Sequence, residues 1–224
     1  MTNTPRLKLA LAILVGLLPL NLLRVAAYRL IFRYRIENAR IGWGTILAVE
    51  HADLRGCTIG MFNRFTGPIL VRIGRGTLMG DANVFYGNIP TRTARPVPTE
   101  RVIEIGADLH IGSHHFFDLS GSISIGDRTQ IGGRHSQFWT HGGSQGIQNI
   151  RIGEHCYLAS AVLFAAGTEL GNNVIVGLGS VVTKSFPQNN LMVAGNPARL
   201  LKENYDWQTQ QSNGLDRTET DATV

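Results

Sequence analysis

Two stretches decide the fold: "IGADLHIGSHHF", residues 105–116, and "IGDRTQIGGRHS", residues 125–136. Each is a pair of six-residue units with isoleucine first and glycine second. Upstream the beat continues as "IGWGTI" from Ile41, "IGMFNR" from Ile59, "IGRGTL" from Ile73 and "MGDANV" from Met79. Downstream it continues as "IGEHCY" from Ile152, "LASAVL" from Leu158, "LGNNVI" from Leu170 and "VGLGSV" from Val176. Each hexad supplies one short strand and one bend. The aliphatic residue points inward and stacks on its equivalents in neighbouring coils, and the glycine beside it turns a corner closed to other residues. Three hexads, ~18 residues, close one triangular coil whose backbone hydrogen bonds run to the next. The period therefore predicts a parallel β-helix over residues 41–202. Each coil contacts only its neighbours, so the ends need caps; residues 1–40 and the segment after Pro197 are placed to supply them.

The beat breaks twice. "FYGNIPTRTARPVPTERVIE" between Val84 and Ile105 is rich in Pro, Thr and Arg, and predicts an excursion near residues 85–102. The second break, near 142–150, follows "QFWTH", residues 137–141, and puts an imidazole at its edge. After Trp207 the chain is polar, and residues 203–224 read as a C-terminal tail, with a short helix or none.

The 26 glycines and 8% aromatic content fit many tight turns better than a helical core. Much of the net charge of +5 is local, with Arg6, Lys8, Arg24, Arg29, Arg33, Arg35 and Arg40 all before the repeats. That placement points to a membrane surface rather than nucleic acid, since no basic stretch with interleaved aromatics is present. Two distant cysteines, Cys57 and Cys156, are too few for a disulfide framework or a zinc cluster and read as reduced, packed side chains. The apolar run from Leu7 to Ile36 has three readings. "VAA" offers a signal-peptide cleavage site. A membrane span is the second, though Pro19, Asn21 and Arg24 interrupt it and Leu9–Leu23 is short of ~20 residues. A helix in the membrane interface, arginines toward head groups, is the third and the one favoured. A helix capping the β-helix is compatible with it.

The pattern resembles the hexapeptide-repeat acyltransferases, specifically the polysaccharide and sugar O-acetyltransferase branch. "QFWTHGG" is similar to the family's "IYTH" segment, and "YLASAVLFAAGTELGNNVIVGLGSVVTKSFPQNNLMVAGNPARLL" to its donor-binding ending. The resemblance implies an all-β, left-handed β-helix working as a homotrimer, with acetyl-CoA as co-substrate and no metal. It implies His141 as the base that takes a proton from a sugar hydroxyl, a task suited to imidazole near neutral pH. Tyr157, Ser160, Leu178, Thr183, Lys184 and Arg199 fall on the family's coenzyme A groove, and a hydroxyl and a cation next to Pro187 suit a phosphate. "FFDLSGSISIGD" resembles an acceptor element and marks Asp118 and Ser120 as acceptor contacts, Asp118 alternatively as a turn cap. No carboxylate follows His141 before Glu154, so a backbone carbonyl is expected to orient the ring, with loop or coil N–H groups as oxyanion donors. The acceptor is a sugar of a surface polysaccharide or its lipid-linked precursor. Cytosolic acetyl-CoA places the domain in the cytoplasm, peripheral to the inner membrane face.

Two other readings are carried. One is a zinc enzyme resembling the γ-class carbonic anhydrases, with His110 and His115 five apart and His114 and His135 nearby. The other is a catalytically silent scaffold.

Overall fold

A computed structural model describes residues 5–87, 101–142 and 146–209. The chain forms the parallel β-helix expected from the hexads, left-handed as the resemblance implied, preceded by two short helices. The coil has three faces. The first carries Arg64–Phe65, Val84–Tyr86, Phe116–Asp118, Gln137–Trp139, Leu163–Phe164 and Val181–Val182, paired in parallel in that order. The second carries Val102–Ile105, Ile123–Ile125, Ile150–Ile152 and Glu169–Leu170. The third stacks eight parallel rungs from Arg40–Ile41 to Leu191–Ala194 and ends on antiparallel Arg199–Lys202. In the first two coils, Ile46–Arg55 and Arg64–Ile73 run unbroken around a corner as ten-residue strands. The predicted 85–102 excursion leaves after Tyr86 and returns by Val102; residues 88–100 lie outside the described residues.

Each face builds its own interior ladder. On the third, Ile41, Ile59, Met79, Ile111, Ile131, Leu158, Val176 and Val193 stack coil on coil, and all are buried. On the first the ladder is aromatic. Phe65, Phe85, Phe117, Phe138 and Phe164 stack at 4.3, 4.3, 4.5 and 5.1 Å between ring centroids. Their planes lie within 11° of parallel. At one corner a polar ladder handles the turn N–H groups. Thr45 Oγ1 accepts from Asn63 N, Asn63 Oδ1 from Asn83 N, Asn83 Oδ1 from His115 N, and His115 Nδ1 from Ser136 N, at 3.1, 2.9, 2.9 and 3.0 Å. Buried backbone donors at a corner need such partners. The thiols of Cys57 and Cys156 are free and buried, and burial pushes both up to about 11.

Helices α1 (Pro5–Gly16) and α2 (Asn21–Phe32) pair with each other and lie on the first coil. That coil has an open backbone edge, and the helices, together with Tyr34 just after α2, satisfy it. Gly44 N–H donates to Gly16 O at 2.9 Å, Ile41 N–H to Asn21 Oδ1 at 2.8 Å, and Leu47 and Val49 N–H to the Tyr28 and Tyr34 hydroxyls at 3.2 and 3.1 Å. A Cβ on Gly16 would stand 2.6 Å from Thr45 O, so only glycine allows this approach. Burial raises the Tyr28 phenol to about 12, which keeps it a donor for Thr45 O. Two of the cations assigned to head groups turn out otherwise. Arg24 is buried and donates to the Ile41 carbonyl, and Arg29 donates to the Ile36 carbonyl, because the first coil's acceptors also need partners. The outer side of this cap carries exposed leucines and isoleucines: Leu14, Leu22, Leu30 and Ile31 on the helices, and Leu17 and Leu20 between them. No helix among the described residues is long and apolar enough to cross a membrane.

Candidate active site

The corner between the first and second faces positions His141. On the first face, strand register places Tyr86, Asp118 and Trp139 side by side on three successive coils. After Trp139 the ladder changes partners. Thr140 N–H turns from the expected carbonyl to Asp118 Oδ2 at 3.2 Å, and Thr140 Oγ1 takes over the Asp118 carbonyl at 2.9 Å. Gly121 N–H then closes onto Thr140 Oγ1 at 2.8 Å. The chain swings outward, with His141–Gly142 pairing antiparallel to Gly146–Ile147, and re-enters when Gln148 N–H meets Thr140 O at 2.8 Å. This small hairpin holds His141 off the coil.

The imidazole is not oriented by a backbone carbonyl. Its Nδ1 lies 2.7 Å from Asp118 Oδ2, with Ser120 Oγ 3.4 Å away. The Asp118 side chain is 2% exposed and that of His141 45%. Asp118 is an anchored carboxylate: beyond the imidazole it accepts from Ser120 Oγ at 3.1 Å and from Thr140 N–H. These donors hold the carboxylate at a fixed place. With Nδ1–H donating to it, a neutral ring carries its free lone pair on Nε2, and the side chain is partly open to solvent. That hydrogen bond sets the tautomer. Such a ring can accept a proton from a group that approaches from solvent, and the carboxylate stabilises the imidazolium that results. Asp118 and Ser120, expected to touch an acceptor, instead sit behind the ring, 2% and 5% exposed. The oxyanion donors expected from the loop fall partly on residues 143–145, outside the described residues.

The six residues assigned to the donor groove separate into two edges and two outliers. Ser160 and Leu178 stand at the corner where Gly179 N–H bonds Ser160 O, on the edge of the first face away from His141. Gly133, one coil earlier on this edge, has φ +59 and room for no side chain, because a Cβ would meet Ser160 Oγ. Thr183 and Lys184 stand at the His141 edge, one strand length or ~13 Å from Gly179. The Lys184 ammonium lies 5.3 Å over the Phe186 ring. Arg199 is exposed opposite Ala194, beyond the last parallel rung. Tyr157 lies around the corner on the third face, and Trp207 packs on it at 5.6 Å.

His115 explains the "HIGSHH" spacing without a metal. It is a rung of the corner ladder, Nδ1 occupied by Ser136 N–H and Nε2 buried beside the Gly133 carbonyl with no hydrogen bond of good geometry. His110 lies on the outward side of the third face, and His114 and His135 face each other at the corner at 6.0 Å. No group of three or more His, Cys, Asp or Glu among the described residues is arranged to hold a metal. Burial, then the neighbouring His135 and His114, lower the His115 imidazole from 6.5 to about 4. The folded value lies below the unfolded one, so this contribution is complete above pH 6.5 and is lost as pH falls toward 4. The loss amounts to about 3 kcal/mol at most. His115→Asn, which repeats the Asn63 and Asn83 rungs, is expected to flatten that acid limb in urea titrations at pH 7 and pH 4.5; an unchanged limb would assign it elsewhere.

The comparisons with known proteins point the same way. No protein-family model matches the chain. Galactoside O-acetyltransferase of Escherichia coli is 29% identical over 114 residues, 44% of this chain and 55% of its own length. WcaF of Escherichia coli, which its name assigns to acetyl transfer in colanic acid biosynthesis, is 42% identical over 96 residues, 43% of this chain and 48% of its own. The chain thus spans about half the length of these curated relatives. Among solved structures, UDP-N-acetylglucosamine acyltransferase gives a TM-score of 0.56 at 19% identity over 83% of this chain and 76% of that one, a likeness of fold. The chain resembles the hexapeptide-repeat acetyltransferases, as its motifs implied.

Proposed function

We propose that the chain transfers an acetyl group from acetyl-CoA to a hydroxyl of a sugar, in a surface polysaccharide or its lipid-linked precursor, with His141 as general base. The observation that carries this is the buried Asp118 carboxylate 2.7 Å from Nδ1 of an imidazole that is itself 45% exposed. A silent scaffold has no need to bury an anion against an exposed histidine. The relatives' names support acetyl transfer to sugars. Ser160, Leu178, Thr183, Lys184 and Arg199 hold the coenzyme, with Tyr157 at the thiol end. Because Ser160 and Leu178 lie across a whole face from His141, a donor along that edge reaches the base of a neighbouring copy more readily than its own. This supports a homotrimer with sites between subunits. The test is incubation with acetyl-CoA and a panel of oligosaccharides, free and lipid-linked. Acceptor-dependent CoA release with a mass gain of one acetyl group is expected, and release with no acetylated product from any acceptor refutes it.

The same proposal places the protein at the inner membrane face, held by the apolar outer side of α1 and α2 and by the exposed Arg6, Arg33, Arg35 and Arg40. It should float with phosphatidylglycerol-containing vesicles. The double variant Leu14→Glu, Leu22→Glu alters two exposed side chains and should stay in the soluble fraction. Equal flotation of both proteins would remove the helices from the anchor.

A further inference from the structure

We propose that Tyr86 and Trp139 form the acceptor platform, and that it takes a pyranose ring through one of its C–H faces. Register puts the two rings on the coils on either side of Asp118, along one outward line of the first face. Both remain exposed, 42% for Tyr86 and 37% for Trp139. Outward strand positions on a solvated face ordinarily take polar residues, so two large aromatics flanking a buried carboxylate call for a reason. The indole of Trp139 is also held rather than loose. Its Nε1–H donates to Gln137 Oε1 at 3.0 Å, and the Phe116 ring backs it at 4.9 Å and 41°. A fixed aromatic surface binds with little loss of side-chain entropy.

The chemistry of the ligand follows from what surrounds the indole. The His141 imidazole stands 6.0 Å from it, steeply inclined at 72°. A flat ligand lying parallel to the indole at contact distance, ~4 Å, is inclined to the imidazole by the same steep angle and cannot stack on it face to face, so its rim is the part open to the imidazole. A pyranose fits both demands: its axial C–H bonds make an apolar face, and its hydroxyls lie around the rim. An extended acyclic polyol offers no such face, and an aromatic ring without a hydroxyl offers no proton to a base. Asp118 and Ser120 cannot take this part because they lie buried behind the imidazole. The hydroxyl's position at Nε2 rests on the acetyl-transfer function proposed above; the binding of the ring does not.

Saturation-transfer NMR without acetyl-CoA separates the two. Methyl β-D-galactopyranoside and methyl β-D-glucopyranoside are the probes, and glycerol is the acyclic control. The wild type should saturate ring C–H protons of at least one pyranoside and not those of glycerol. Trp139→Ala should abolish the transfer, Tyr86→Ala reduce it, and Trp139→Phe retain part of it. In the acetyl-transfer assay Trp139→Ala should raise KM for the pyranoside about tenfold while KM for acetyl-CoA holds. No transfer to either pyranoside, or equal transfer from Trp139→Ala, overturns the platform. So does a change of oligomeric state in Trp139→Ala with pyranoside binding intact, since the indole would then be packing on a second copy. Trp139-dependent binding with no acetyl transfer to any acceptor would leave the platform standing and refute the function.

Discussion

Replacing His141 by Ala is expected to lower kcat for acetyl transfer about 10²- to 10⁴-fold, the range of a positioned general base. Asp118→Asn should cost nearly as much. An asparagine can present its NH₂ group to Nδ1, and the ring would then place its proton on Nε2, where the acceptor hydroxyl must lose one. The carboxylate's support for the imidazolium goes at the same time. The two effects should not add. The double variant should be about as slow as His141→Ala alone, because residues acting as one unit give non-additive losses. Ser120→Ala supplies the contrast. Its hydroxyl touches the same pair at 3.1 and 3.4 Å but carries no charge, so a loss of about tenfold or less is expected. The readouts are kcat and KM for both substrates and the far-ultraviolet spectrum, which should be unchanged. An Asp118→Asn variant within threefold of wild type would show that the carboxylate only fastens the hairpin.

How far these features were legible varies with the kind of contact. Ile105, Ile111, Ile125 and Ile131 announce their own burial, because a hexad fixes which residue points inward whatever its neighbours are. Their ladders on the second and third faces are therefore read straight from the letters. The aromatic ladder is not. Phe65, Phe85, Phe117, Phe138 and Phe164 follow turn residues of differing type, in "NRF", "NVF", "HFF", "SQF" and "VLF". They do not start apolar-Gly hexads, and only register shows that they stack. The dyad is hidden for the same reason. Coil spacing pairs Asp118 with Trp139, not with His141. It is the hairpin after Thr140 that turns the imidazole back over the carboxylate. A search for acids within the loop's own sequence looks in the wrong coil. The cap was legible as an apolar helical segment, but Arg24 and Tyr28 read as surface residues until the first coil's unpaired backbone edge is in view.

Phe117→Ala is the substitution expected to cost most in stability. The ring is fully buried and stacked on both sides, on Phe85 at 4.3 Å and Phe138 at 4.5 Å. Truncating a buried Phe typically costs about 3–5 kcal/mol. The stiff coil stack cannot collapse into the gap, because each rung is fixed by hydrogen bonds to two neighbours. The penalty should stay near the upper end, lowering Tm by about 10 °C or more. In a solenoid the loss is local: hydrogen exchange should quicken in the coils holding Phe85, Phe117 and Phe138 before it does near Ile59. Asp118 is the next residue, so a relaxed strand also loosens the dyad, and kcat should fall by more than the unfolded fraction explains. Ile131→Ala is the control. It opens a comparable buried gap on the third face, away from the His141 corner, and should lower Tm without that excess loss of kcat. If both variants lose activity only in proportion to their folded fraction, the aromatic ladder supports the fold alone and the geometry of the Asp118–His141 pair is maintained by its own hydrogen bonds.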